Sequence, residues 1–257
     1  MTSPHPLPLQ NKLTLITGAS RGIGAGLARE LSARGASLLL TYTTPSSAPL
    51  IQTLMLSLPT PSRAVRVDLS HPSAPSTILS ALDAWLGPTA TINILINNAA
   101  VEIVKPLGDI TLDDYEKVYN LNVRGPLMLT QAVKTRFDPA GGNRVINIGS
   151  VGSRCGFKGL GLYCSSKAAL EGLTRCWAAE MGGDGTTVNQ VNPGPVATEM
   201  LENIPREIVE GQKSRTPLEG RVGSVEEVAR IVGWLASGES SWVTGQVVSA
   251  SGGLEMY

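Results

Sequence analysis

The sequence has 257 residues, 42% of them hydrophobic, which suits one large globular domain better than two small ones. Its 21 basic side chains are balanced by 21 acidic ones, so no binding of nucleic acid or of an anionic membrane is expected. No run approaches the ~18 apolar residues of a membrane span, and residues 1–10, with three prolines and no basic segment, are predicted to form a flexible tail and not a signal peptide.

Short apolar runs alternate with segments of helical periodicity from residue 11 onward. The predicted strands cover residues 12–17, 37–43, 63–67, 92–96, 144–148, 187–191 and 246–249. The predicted helices cover residues 23–34, 50–58, 76–86, 111–133, 162–181 and 225–237. This alternation predicts an α/β fold: a Rossmann-like, doubly wound parallel sheet of about seven strands with helices on both faces, in one catalytic domain over 11–257.

The cysteines and histidines of the chain do not form a metal-binding pattern. Cys155, Cys164 and Cys176 lack paired spacing, which is typical of reduced thiols in an intracellular protein, here expected to be cytoplasmic. His5 and His71 lie far from them in sequence, so no metal site is expected.

A glycine-rich turn follows the first predicted strand and leads into a helix. The turn reads Thr17-Gly18-Ala19-Ser20-Arg21-Gly22-Ile23-Gly24. Glycine allows a close backbone approach that a side chain would block, and the start of the helix would direct free N–H groups at a pyrophosphate. The spacing differs from the strict Gly-x-Gly-x-x-Gly fingerprint, so an ordinary tight turn is the alternative interpretation.

The end of the second predicted strand indicates which dinucleotide the site would accept. NAD-binding sites place a carboxylate there, on the adenosine ribose. This stretch instead reads Leu40-Thr41-Tyr42-Thr43-Thr44, without an acidic residue. Arg21 could bind the 2′-phosphate of NADP, so the sequence predicts NADPH over NADH. The alternative for Arg21 is a solvent-exposed side chain.

A serine, a tyrosine and a lysine are spaced as a proton-transfer site. Tyr163 and Lys167 are four residues apart, and therefore on one face of a helix. The ammonium group of Lys167 is expected to lower the pKa of the Tyr163 hydroxyl. Ser150, thirteen residues before Tyr163, could hydrogen-bond to a substrate carbonyl. A half-buried tyrosine beside an extended lysine is the structural alternative.

Taken in order, these motifs resemble those of the short-chain dehydrogenase/reductase family over residues 11–253. The matching positions are Thr17-Gly18-x-x-x-Gly22-x-Gly24, Asp68, Asn97-Asn98-Ala99, Asn122, Ser150, Tyr163-x-x-x-Lys167, Pro193-Gly194, Thr198, 216–223 and 243–246. The chain is similar to 3-oxoacyl-[acyl-carrier-protein] reductases and fungal polyketide ketoreductases. Ala100 departs from the pattern, because the family usually has glycine there.

The resemblance implies a cofactor site for NADPH or NADP. The implied residues are Gly18, Ser20, Arg21, Gly22, Ile23, Gly24, Tyr42, Thr43, Thr44, Asp68, Leu69, Asn97, Ala99, Arg124, Tyr163, Lys167, Pro193, Gly194, Val196 and Thr198. By resemblance, Asp68 and Leu69 would contact the adenine, and Ile23 the phosphates. Asn97 would lie against the ribose and brace the sheet, and Val196 and Thr198 would hold the nicotinamide amide.

The resemblance also implies a catalytic set of Asn122, Ser150, Tyr163 and Lys167. Asn122 would hold a water that connects Lys167 to solvent. Arg124 would serve either the cofactor or the structure. The family further implies a homotetramer or homodimer with helices 111–133 and 162–181 at the interface.

Residues 194–222 are predicted to form a substrate loop or lid within the longest irregular stretch, 192–223, which is rich in proline. Its apolar residues are Met200, Leu201, Ile204, Ile208 and Val209, and the opposite wall, 152–162, carries Phe157. These residues either line an apolar pocket or pack within the domain.

The predicted function is NADPH-dependent reduction of a ketone on a small apolar or acyl, polyketide-like substrate, as in secondary metabolism, with Tyr163 as general acid. An oxidative alcohol dehydrogenase, an epimerase or dehydratase, and a non-catalytic nucleotide-binding regulator remain alternatives.

Overall fold

The computed structural model describes residues 7–202 and 204–257. A parallel sheet runs through them with the strand order β3-β2-β1-β4-β5-β6-β7. The strands are β1 (Leu13–Ile16), β2 (Ser37–Tyr42), β3 (Ser62–Arg66), β4 (Ile94–Asn97), β5 (Arg144–Ile148), β6 (Thr187–Pro193) and β7 (Val247–Ala250). The seven strands and their parallel pairing confirm the predicted fold. The order reverses between β1 and β4, where ligands bind in open sheets of this kind.

The helices lie on both faces of the sheet. They are α1 (Gly22–Ala33), α2 (Ala48–Ser57), α3 (Ala74–Leu86), α4 (Leu112–Tyr119), α5 (Gly125–Lys134), α6 (Gly161–Met181), α7 (Glu199–Glu202), α8 (Arg206–Arg215) and α9 (Val225–Ala236). Alternate residues of each central strand pack on opposite faces, because side chains in a strand alternate. In β2, Leu38 and Leu40 pack with α1, α2 and α9, whereas Leu39 packs with α3, α5 and α6. Burial on both faces explains the near-continuous apolar runs of the strands.

The helical stretch predicted over residues 111–133 is confirmed, and it contains a π-helical turn. Helix α4 ends at Tyr119, the π-helical turn covers Asn120–Arg124, and α5 begins at Gly125. Pro126, at the second position of α5, has no N–H to donate to an α-helical hydrogen bond, which is consistent with the change of helix type just before it. Thr111 caps the start of α4, because its Oγ1 accepts a hydrogen bond from the Asp114 amide.

The predicted irregular stretch 192–223 contains the helices α7 and α8. Pro205 stands immediately before α8, and Pro217 follows soon after its end. Prolines at these positions bound a helix and do not disrupt it, which is why the prediction of an irregular segment was wrong.

Part of the predicted N-terminal tail is packed onto the domain. Leu9 is buried, and its amide donates a hydrogen bond of 2.9 Å to the Arg34 carbonyl. The boundary predicted at residue 10 is therefore too late, because apolar Leu9 is drawn into the core beside α1. The rest of the predicted tail, residues 1–6, lies outside the described residues.

Candidate active site

The glycine turn between β1 and α1 is a tight cradle at the carboxyl edge of the sheet. Gly18 and Gly22 have φ angles of 63° and 52°, which side-chain-bearing residues rarely adopt. A Cβ atom on Gly18 would lie 2.9 Å from the Cα of Ala99, and one on Gly24 would lie 2.2 Å from the Gly18 carbonyl oxygen. The turn can keep this shape only with glycine at these positions.

The loops after β1 and β4 are joined by hydrogen bonds. Thr17 Oγ1 accepts from the amides of Asn98 and Ala99 at 2.9 and 3.0 Å. The Asn98 side-chain amide donates to the carbonyls of Thr17 and Gly18. Asn98 was absent from the predicted site residues, although its place after the fourth strand was the available signal. It fixes the glycine turn against the opposite wall of the cleft.

The N-terminus of α1 is suited to bind a phosphate. Within the described residues, no side chain caps this helix, so its first-turn N–H groups have no intrahelical or capping acceptor. Together with the helix dipole, they attract an anion. A dinucleotide pyrophosphate fits this cradle, and Gly22, Ile23 and Gly24 are the residues that would hold it.

A cleft of about 310 Å³ runs from the glycine turn to the predicted catalytic residues. Most of the predicted site residues line it, namely Gly18, Ser20, Arg21, Gly22, Ile23, Gly24, Tyr42, Thr43, Thr44, Ala99, Ser150, Tyr163, Lys167, Pro193, Gly194, Val196 and Thr198. Arg21 lies at the rim, where it is exposed and pairs with Glu199 at 3.1 Å. The structure thus brings residues from six separate chain segments into one cleft.

Five of the predicted site residues lie outside the cleft, since they are not among the described residues that line it. Asp68 accepts hydrogen bonds from the amide and hydroxyl of Ser70, and Arg124 donates to the Ser70 carbonyl. Leu69 is buried in the core beneath α3 and α5. Asn97 is also buried, because its position in β4 directs its side chain toward α5. The fifth residue, Asn122, is buried between α4 and α5.

Asn97 belongs to a buried amide network between β4, β5, α5 and α6. Its Nδ2 donates to Thr130 Oγ1 at 3.1 Å and to Asn147 Oδ1 at 2.8 Å. Asn147 in turn donates to Thr174 on α6. Asn97 therefore braces the helices against the sheet, as the prediction also proposed, and the expected ribose contact stays a prediction.

Asn122 lies in the π-helical turn between α4 and α5. Its Oδ1 accepts from the Val101 amide and its Nδ2 donates to the Val101 carbonyl, both at 2.9 Å. The same Nδ2 donates to Ser166 on α6. The side chain positions the loop after β4 beside α6, whereas its role in a water relay stays a prediction.

Ser150, Tyr163 and Lys167 meet at the end of the cleft formed by β5 and α6. The Lys167 ammonium group donates a 2.8 Å hydrogen bond to the Ile148 carbonyl and lies 5.7 Å from the centroid of the Tyr163 ring. The Tyr163 hydroxyl interacts with the Ser150 side chain, whose Oγ accepts from the Gly152 amide. The three groups can therefore act on one substrate oxygen and its proton.

Burial dominates the acid–base properties of this end of the cleft. It raises the pKa of the Tyr163 hydroxyl well above its usual range, Glu102 raises it further, and Ser150 lowers it. Burial lowers the pKa of Lys167 to about 8, and Glu102 opposes this change. The expected lowered tyrosine pKa was wrong for this reason. Tyr163 is protonated at neutral pH and can donate a proton.

Glu102 also lines the cleft, and sequence reasoning missed it. Burial raises the pKa of its carboxyl group, and Lys167 partly offsets this increase. It follows β4 in a loop without periodicity, so a carboxylate near the carboxyl edge of the sheet was the only available signal.

Large apolar side chains also line the cleft, together with the polar side chain of Gln212. Phe157, Leu160, Met200, Leu201 and Ile204 line it, whereas Ile208 and Val209 are not among the described lining residues. The residues around α7 thus supply more of the wall than those of α8. No group of three or more His, Cys, Asp or Glu side chains within the described residues is arranged to hold a metal.

Comparison with known proteins identifies this arrangement. The family model described as "Enoyl-(Acyl carrier protein) reductase", of the short-chain alcohol dehydrogenase type, matches residues 18–255. The chain belongs to the short-chain dehydrogenase/reductase family. This membership confirms the predicted resemblance and the prediction of an oxidoreductase of this family.

Relatives match along nearly the whole chain. The short-chain dehydrogenase/reductase FrzI of Cladobotryum sp is 38% identical and covers 97% of this chain and 98% of its own length. The 3-oxoacyl-[acyl-carrier-protein] reductase FabG of Pseudomonas aeruginosa is 36% identical over 97% of this chain and 100% of its own. The structure of a blue fluorescent protein from a metagenomic library in complex with NADPH has a TM-score of 0.89 at 35% identity and covers 97% of this chain and 100% of its own.

The lowered pKa of Lys167 predicts a specific dependence of stability on pH. The unfolded lysine has its ordinary pKa of 10.5, whereas the folded one titrates at about 8. Between these values the unfolded chain binds a proton that the folded chain has released, so the free energy of unfolding rises with pH. Relative to Lys167→Met, the wild type should gain up to about 3 kcal/mol across this window.

Urea unfolding of both proteins, below pH 8 and near pH 10, measures this difference. The Met variant keeps an apolar side chain of similar size and removes the titrating group together with its hydrogen bond to the Ile148 carbonyl. A difference between the two proteins that does not change with pH would contradict the buried environment assigned to Lys167.

Proposed function

We propose that this protein is an NADPH-dependent reductase that reduces the ketone of a small apolar or acyl substrate. The observation that supports it best is the convergence of Ser150, Tyr163 and Lys167 at one end of a cleft whose other end is a phosphate cradle. The NADPH complex of a structural relative supports the choice of cofactor. The reductase named among the relatives supports the direction of the reaction.

In this mechanism, NADPH held by Gly22, Ile23 and Gly24 would supply the hydride for the carbonyl carbon. Ser150 donates a hydrogen bond to the carbonyl oxygen and stabilises the negative charge that develops there. Tyr163, protonated because burial raises its pKa, transfers its proton to that oxygen. The positive charge of Lys167, held by the Ile148 carbonyl, stabilises the phenolate that remains.

The cleft favours NADPH over NADH in this proposal. The loop after β2 contributes Tyr42, Thr43 and Thr44, without a carboxylate to hold ribose hydroxyls. Arg21 lies at the rim on the same side, and we assign it to the 2′-phosphate, for which it would exchange its exposed partner Glu199. Asp68 and Leu69, predicted for the adenine, and Asn97, predicted for the ribose, keep these roles as proposals.

We also propose that the protein forms a homodimer or homotetramer through α4, α5 and α6. The exposed faces of α4 and α5 carry Leu112, Tyr115 and Met128, which are apolar or aromatic. Tyr115 stacks on Tyr119, with 4.5 Å between the ring centroids. Such a surface is typical of an interface.

None of the helices in the described residues has the length and apolar character needed to cross a membrane. The cytoplasmic location and the role in secondary metabolism are proposals as well.

Replacing Tyr163 with phenylalanine should lower kcat/KM about 100- to 10,000-fold, because the proton donor is lost. NADPH affinity, measured by nucleotide fluorescence, should be unchanged. Loss of NADPH absorbance with a panel of ring ketones, β-keto esters and acyl thioesters measures turnover. Tyr115→Phe, the same change on a tyrosine outside the cleft, keeps the aromatic ring and is the control. Wild-type turnover retained by the Tyr163 variant would contradict the proposal, as would an absence of NADPH oxidation across the panel.

Replacing Arg21 with alanine should lower kcat/KM for NADPH by about 10- to 100-fold, since a charge-assisted hydrogen bond contributes about 1.5–3 kcal/mol. The value for NADH should not fall. Arg29→Ala removes the same charge from an exposed position on α1 outside the cleft and should leave the ratio unchanged. Equal losses with both nucleotides, or equal efficiency of the wild type with both, would contradict the assignment.

A further inference from the structure

Glu102 places a carboxylate in the catalytic end of the cleft. It follows β4 by a few residues and lines the same cleft as Ser150, Tyr163 and Lys167. It is partly buried, and its charge influences the pKa values of both Tyr163 and Lys167, so it lies close to the reacting groups. The proposed hydride and proton transfer does not use it.

Within residues 7–202 and 204–257, the Glu102 carboxylate accepts no hydrogen bond and joins no ion pair. The cation that acts on it is Lys167, whose ammonium group is already bound to the Ile148 carbonyl. Other carboxylates that are buried or partly buried in the described residues have direct partners: buried Glu171 accepts from Arg154, and partly buried Asp114 from Lys105. A desolvated carboxylate without a partner is unfavourable, and burial raises the pKa of Glu102 accordingly.

Among the described residues, none of the polar side chains that line the cleft hydrogen-bonds to Glu102. Large apolar side chains line the same cleft, namely Phe157, Leu160, Met200, Leu201 and Ile204. A purely apolar ketone would bury the carboxylate further and leave it unpaired, which would weaken binding. A substrate with a positive charge at this place would instead supply the missing ion pair in a poorly solvated site, where charge-assisted hydrogen bonds are strongest. A hydroxyl group would supply one hydrogen bond and leave the charge uncompensated.

We propose that Glu102 determines substrate specificity by pairing with a protonated amine, so that the physiological substrate is a ketone that also carries a basic nitrogen on an otherwise apolar skeleton. This inference rests on the proposed reductase function. The amine takes no part in the reaction: hydride adds to the carbonyl carbon, the Tyr163 proton adds to the oxygen, and the nitrogen keeps its proton throughout.

The test compares two ketones that differ mainly in one ring position, 1-benzylpiperidin-4-one and 4-benzylcyclohexanone. In slightly acidic buffer the first carries a protonated nitrogen where the second has a carbon. The wild type should show a kcat/KM at least about tenfold higher for the amino ketone, as expected for a charge-assisted hydrogen bond. In Glu102→Gln this preference should fall at least about tenfold, mainly through a higher KM for the amino ketone. Glu102→Asp, which keeps the charge, should retain part of it.

Glu239→Gln is the matched control, because it removes the same charge from an exposed position outside the cleft and should leave the preference unchanged. The comparison of the two ketones on the wild type requires no variant, so it tests the proposal even if Glu102→Gln folds poorly. Equal efficiency of the wild type with both ketones would overturn the role of Glu102 and leave the reductase function intact. A preference that survives in Glu102→Gln would overturn it as well.

One alternative partner for Glu102 is the positive ring of the oxidised cofactor. If Glu102→Gln weakens NADP⁺ binding relative to NADPH and leaves the ketone preference unchanged, the carboxylate serves the cofactor and the proposal is wrong. No NADPH oxidation with either ketone or with the wider ketone panel would instead refute the reductase function, and this inference with it.

Discussion

The site depends on the hydroxyl group of Thr17, which joins β1 and β4 where the strand order reverses. Its Oγ1 accepts from two consecutive amides of the loop after β4, at 2.9 and 3.0 Å. The segments that follow the two strands at such a reversal run to opposite sides of the sheet, so a cleft opens between the carboxyl ends of these strands. The glycine turn forms one wall of this cleft and the loop that carries Glu102 continues from the other.

The catalytic end is held by buried polar contacts as much as by apolar packing. Ser150 is fixed from behind, because its amide donates to the Asn192 side chain at 3.1 Å. The Asn192 Nδ2 contacts Ser153, Glu171 and Tyr257, so strand β6, helix α6 and the C-terminal residue converge behind the serine. Each of these groups has a partner within the protein, as a low-dielectric interior requires.

The balance of charge differs between the two ends of the cleft. At the phosphate end, helix N–H groups and exposed Arg21 attract an anion. At the catalytic end, buried Lys167 is bound to a backbone carbonyl, and Glu102 faces the cavity without a direct partner. An anionic cofactor and a cationic substrate suit these two ends, which is how the proposals for NADPH and for an amino ketone fit together.

The sequence predicted the strands and the catalytic trio because their signals are local. Apolar runs mark strands buried on both faces, and the spacing from Tyr163 to Lys167 requires only that α6 is helical. Local patterns do not show where a side chain points in the folded protein. The motif indicates a ribose contact for Asn97, which stays a prediction, and does not indicate its hydrogen bond to Thr130 on α5. Glu102 was missed because a single carboxylate in an irregular loop has no periodicity that would indicate the cavity it faces.

The most direct test of the account is a crystal structure of the protein with NADP⁺. The account predicts that the pyrophosphate contacts the first-turn amides of α1 and that the nicotinamide lies at the end of the cleft formed by Ser150 and Tyr163. A dinucleotide bound elsewhere, or a Tyr163 hydroxyl directed away from the nicotinamide, would contradict it.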